Sequence, residues 1–163
     1  MRQPLFKILA MSLGIAGLAA IAVGCGGGGD STTTVVLAKP QFIKQADAIC
    51  ERADAEQEAS LQAYAKEHPE SVGNKALESK PVQEDLVLVV GLPPLQVEAE
   101  EIGALGAPQD DADQVKAIVA GMEKAVAEAE EDPLSMTAES GGPFAPVNKL
   151  AKAYGLQACA DAS

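Results

Sequence analysis

Three cysteines (Cys25, Cys50 and Cys159), a single histidine (His68) and an excess of carboxylates are the residues of this 163-residue chain that could do chemistry. Nucleophilic catalysis of the Ser-His-Asp kind needs a histidine base, and His68 stands in the loop-like stretch KEHPES. Ser140, in ESGGP, has neighbouring glycines without the strand-to-helix setting of a GxSxG elbow. Carboxylate pairs could hydrolyse glycosides, but Glu98, Glu100, Glu101, Glu128 and Glu130 fall on stretches that read as solvated helix faces. A calcium loop starting at Asp111 would need glycine at its sixth position and glutamate at its twelfth, where Lys116 and Met122 stand. Haem or copper ligands would come from His68, Met122, Met136, Tyr64 and Tyr154, with no motif joining them, and a zinc site of cysteine and histidine lacks its members. The expectation is no catalytic residue, no cofactor, no metal ligand and no enzymatic activity.

The cysteines carry a firmer signal. Before Cys25 the chain reads MRQPLFKILAMSLGIAGLAAIAVG, with Arg2 and Lys7 followed by an uncharged run from Ile8 to Val23, the layout of a secretory signal peptide over residues 1–24. A membrane-spanning helix is the alternative, but it needs ~20 apolar residues and a basic stop, and neither is present. The segment Ala22, Val23, Gly24, Cys25 resembles the lipobox of bacterial lipoproteins, with Ala22 where leucine is commonest. The resemblance implies a diacylglyceryl group on the thiol of Cys25 and cleavage before it. The palmitate-type chains of such an anchor contribute about 0.8 kcal/mol per buried methylene, so two or three chains hold the protein to the membrane. Residues 25–38, opening GGGGDSTTT beyond Cys25, then read as a flexible tether. A phosphate-binding loop would require GK[ST] or GxGxxG, which are absent.

With Cys25 acylated, Cys50 and Cys159 remain as a pair, and an oxidising compartment favours a disulfide between them over two buried free thiols. Such a bond would constrain the unfolded chain by about 4.7 kcal/mol. Both basic residues of the signal would leave with it, so 24 acids would face ten bases, a formal charge of −14. That surface disfavours nucleic acid and polybasic adhesion to anionic lipid, leaving the acyl groups as the membrane contact.

Residues 39–163 read as one all-α domain, a small antiparallel bundle of about four helices. The first opens at Pro40, carries Ile43, Ala46, Cys50, Ala53, Ser60 and Tyr64 inward at steps of three and four interrupted at Gln57, and stops at His68-Pro69. The second starts near Pro81; its run LVLVVGL is helical because no second strand is available to pair with it, and Pro93-Pro94 kinks it before Leu95, Ala99, Ile102 and Leu105. The third is capped by Asp110 or Asp111 and buries Val115, Ile118, Val119, Met122, Val126 and Ala129. The last, from about Pro146 to Tyr154, buries Val147, Leu150, Ala151 and Tyr154, with Gly155 as a left-handed stop. Asp47 reads as a carboxylate favoured by the first helix's dipole, or as a polar contact to Tyr154 or Lys152.

FIKQADAIC, IGALGAPQDDADQVKAIVAGMEKAV and NKLAKAYGLQACA resemble small exported or lipid-anchored helical proteins of actinobacteria over most of residues 40–160. The resemblance implies no activity and joins the two ends through Cys50 and Cys159 as structural residues. The expected role is therefore a lipid-anchored, extracytoplasmic, non-catalytic interaction or structural module of the cell envelope, on the outer face of the membrane, with an envelope protein as its class of partner. A small-molecule-binding lipoprotein, its ligand held between helices, is the alternative.

Overall fold

The computed structural model describes residues 37–71, 73, 78–138 and 141–161, and all regular structure among them is helical. Six α-helices follow in order among these residues: α1 (Lys39–Glu67), α2 (Lys80–Leu86), α3 (Leu92–Ala104), α4 (Ala112–Glu131), α5 (Ala145–Tyr154) and α6 (Gln157–Asp161). The all-α expectation holds, with one short helix, α6, beyond those expected. Cys25, the residues before it and Ser140 lie outside the described residues. No described helix is long and apolar enough to cross a membrane.

Pro40 sits in the first turn of α1, where its missing N–H has no partner to lose. The buried face of α1 is Phe42, Ala46, Ile49, Cys50, Ala53 and Tyr64; Ile43 and Ser60, expected inside, are half-buried. Between α2 and α3 lies a five-residue π turn, Val87–Gly91, directly before Pro93-Pro94, so the irregularity is a wide turn one step upstream of the expected kink. Leu92 N–H bonds to Val87 O, five residues back, which widens the helix where the proline rings would press on carbonyls four residues before them. The run LVLVVGL is thus helical, with Val90 and Leu92 buried.

α3 packs on α1 and on α4, α4 on α5, and α6 on both α5 and α1. Their common core holds Phe42, Ile102, Met122, Phe144 and Leu156, and Phe42 meets Tyr154 edge to face at 5.9 Å between ring centres. Gly121 lets α4 and α5 close up, since a Cβ there would stand 3.0 Å from a Val147 methyl. The expected stripe of α4 is buried except for Val119, which is half-buried, and Ala125 joins it.

Two expectations are corrected. Leu150 is 47% exposed, because α5 turns Val147, Ala151 and Tyr154 inward and one helical step carries Leu150 off that face. Asp111 precedes α4 without a side-chain cap; its carboxylate is drawn instead to Lys39, at 3.5 Å, and accepts the Tyr154 hydroxyl at 3.1 Å. The same Lys39 ammonium lies 4.0 Å from the centre of the Tyr154 ring, so α1, α5 and the start of α4 share one polar clamp. Burial, then the bond to Asp111, pushes the Tyr154 hydroxyl up to about 12.

Gly155 ends α5 at φ 113°, and the N–H groups of Gly155 and Leu156 both reach Ala151 O, at 3.0 and 2.9 Å. A Cβ at Gly155 would also press on Ile43 Cδ1 at 3.2 Å. Gly155→Ala is expected to lower unfolding free energy by about 1–2 kcal/mol, read as a shift of the urea midpoint at constant slope.

Candidate functional site

The helical period places Asp47, Cys50 and Asp54 along one side of α1, at steps of three and four. The left-handed turn at Gly155 sends the chain back over that side as α6, burying Leu156 completely and bringing Cys159 to Cys50. The two cysteines form a disulfide with their Cα atoms 5.1 Å apart and a separation of 109 positions in sequence. Both sulfurs lie inside, Cys50 at 0% exposure and Cys159 at 6%.

Asp47 reinforces this crossing. Its Oδ1 accepts the backbone N–H of Ala158 at 3.0 Å, in the first turn of α6, and stands 4.0 Å from Cys159 Sγ. Asp47 does reach the C-terminal segment, but through a main-chain donor rather than through Tyr154 or Lys152. The physical reason is that a helix start presents N–H groups without intrahelical partners, which a carboxylate satisfies at close range.

The third member of the site is Glu98, and here the sequence reading is corrected: this carboxylate is not on a solvated face but 2% exposed. It follows Leu95 by three residues and precedes Ile102 by four, so the helical period puts it on the apolar stripe of α3. That spacing was legible; only its charge argued for the surface. Glu100 and Glu130 are exposed, and Glu128 pairs with Lys124 at 3.0 Å across one turn. Glu101 is half-buried and paired with Arg52.

Glu98 Oε1 lies 3.1 Å from Cys50 Sγ, and Glu98 Oε2 has no hydrogen-bond partner among the described residues. A disulfide sulfur carries no hydrogen, so a bond across that 3.1 Å has the carboxylic acid as donor. Burial, and secondly the charge of Asp54, push Glu98 up to about 7, while burial also raises Asp54. The sulfurs of Cys50 and Cys159 and a carboxylate oxygen of Glu98 all lie within 4.8 Å of one another. Beside them is a narrow cavity of about 10 Å³, the size of one water, lined by Leu95, Glu98, Met122, Phe144, Asn148 and Cys159.

The other sequence candidates lie apart from this cluster. His68 ends α1, stacked on Tyr64 at 4.5 Å between ring centres, with its Nδ1 3.6 Å from Glu70. Met122 fills the core and Met136 packs against it. No family model, no curated protein and no solved structure matches the chain.

Two predictions follow from this geometry. Asp47→Ala is expected to destabilise the oxidised protein by about 1–2 kcal/mol, read by urea unfolding. For Glu98, both the folded and the unfolded chain hold the proton below about pH 4.5, and both have lost it above about pH 7. Between those values only the folded chain keeps it, so stability falls as pH rises through the window, by on the order of 3 kcal/mol. In the disulfide form Glu98→Gln is expected to remove this fall, melting roughly 5–10 °C above the parent at pH 8 and close to it at pH 4.5.

Proposed function

We propose that this chain is a lipid-anchored extracytoplasmic protein, held to the outer face of the cell membrane by acyl groups on Cys25. The helical domain then serves as a non-catalytic interaction or structural module of the cell envelope. The observation that carries the reading is the buried Cys50–Cys159 crosslink, the kind of bond that persists in an oxidising compartment. It leaves one cysteine unmatched, at the end of the apolar run where a lipobox would stand. What surrounds the crosslink supports a structural role for it, because both cysteines are buried in the core of the folded chain.

A small-molecule-binding lipoprotein is the second reading, favoured by a cleft of about 360 Å³ where Pro93, Pro94 and Val97 face Glu56, Ala59 and Ser60 of α1. Its volume is at the low end of ligand sites, and it lies between helices as that reading requires. A bound ligand would raise the melting temperature in proportion to the logarithm of its concentration, whereas a module that meets only proteins would show no such rise.

The deciding measurement is the intact mass of the protein extracted from its host's membranes. The expected mass is that of a chain beginning at an acylated Cys25 and two hydrogens short until reduced, and Cys25→Ala is expected to move the protein into the soluble fraction. A chain that retains residues 1–24, or that stays in the membrane as Cys25→Ala, overturns the reading.

A further inference from the structure

Glu98 is difficult to account for as packing. An apolar side chain on the same stripe of α3 would avoid the desolvation of a carboxyl, yet here one buried oxygen has no partner among the described residues and the other faces a cysteine sulfur. The cavity alongside takes no more than about one water, which excludes an organic ligand of any size. What the position does offer is a third donor atom beside two sulfurs, all within 4.8 Å and all buried.

Around one zinc-like ion, sulfur donors at about 2.3 Å and a carboxylate oxygen at about 2.0–2.2 Å stand roughly 3.5–4 Å from each other. In the disulfide the sulfurs are too close for this and are poor ligands. Once they are thiols they can separate by side-chain rotation, with Cys159 carried on the five-residue helix α6. Two thiolates and one carboxylate suit a borderline-soft cation such as zinc rather than calcium or magnesium. Asp47 Oδ1, 4.0 Å from Cys159 Sγ, places a second carboxylate at the edge of the same group.

We propose that in its dithiol form the protein binds one divalent cation of the zinc class through Cys50, Cys159 and Glu98, so that α6 is tied to α1 by either a disulfide or a metal ion. A dithiol reductant supplies two electrons and two protons to the S–S bond and is itself oxidised to a disulfide. The ion then displaces to solvent the two thiol protons and the proton that Glu98 carries in its acid form, and bonds both sulfurs and the carboxylate.

The test uses the full chain carrying Cys25→Ser, which leaves only these two thiols and makes the outcome independent of acylation. A phosphine reduces the disulfide, taking its oxygen from water, and cadmium or cobalt ions are then titrated in as spectroscopic stand-ins for zinc. The expected result is thiolate-to-metal absorption that saturates at one ion per chain, recovery of helical circular dichroism and melting temperature, and no response from the oxidised chain. Glu98→Gln is expected to weaken binding by on the order of 100-fold while leaving the oxidised fold intact. Absence of a one-to-one complex, failure of the ion to restore structure to a chain unfolded by reduction, or unchanged affinity in Glu98→Gln each overturns the proposal.

Discussion

The tie between α1 and the C-terminal segment is the constraint on which the closed form of this bundle depends. A five-residue helix does not hold itself together in water, because the first turn fixes several residues for one hydrogen bond. α6 exists because three things hold it from outside: the Cys50–Cys159 bond, the Asp47 carboxylate on Ala158 N–H, and the complete burial of Leu156. The first also acts on the unfolded chain, closing a loop that is worth about 4.7 kcal/mol in lost entropy. The core explains why that matters. The chain has three phenylalanines, two tyrosines and no tryptophan, and many of its buried positions are alanine. Alanine brings backbones together and removes little apolar area from water, so the crosslink carries a larger share of stability than it would in a core of leucine and phenylalanine.

Glu98 works against that tie and yet belongs to it. As an ion it would sit desolvated between helices beside Asp54, which is why its proton is held up to about pH 7. As an acid it can give its hydrogen to the sulfur of Cys50, 3.1 Å from its Oε1, so the neutral form and the crosslink are matched. A position that leaves a carboxyl oxygen unpartnered inside a thin core departs from the rule that governs the rest of the molecule. Such departures are where local consistency gives way to chemistry.

How much of this was legible depends on whether the cause was local. Pro40, His68-Pro69 and Gly155 mark helix ends through their own backbone restrictions, and each stands where those restrictions put it. The pairing of Cys50 with Cys159 rested on cysteine parity, a property of composition that needs no geometry. Glu98 was misplaced because its charge was weighed above its spacing, although Leu95 and Ile102 on either side define the buried stripe. Asp111 and Leu150 could not be placed the same way. Asp111 had a local use as a cap and was taken by Lys39 and Tyr154 from elsewhere in the chain, and Leu150 follows from how α5 rotates against α4. The π turn was hidden too, since two prolines can be accommodated by a kink or by a wide turn with the same sequence.

Where α1 begins also bears on how an anchor at Cys25 would load the domain. A pull from such an anchor would reach the described chain at Leu37, which packs against the core, and would next meet the Lys39 clamp with Asp111 and Tyr154 and the edge-to-face packing of Phe42 on Tyr154. If these gave way, the helix could peel only as far as Cys50 before the crosslink to Cys159 shared the load with the rest of α1. If the chain is anchored as proposed, a crosslink in the first half of α1 would limit how far strain at that end spreads, and a metal-held form of the same tie would do the same.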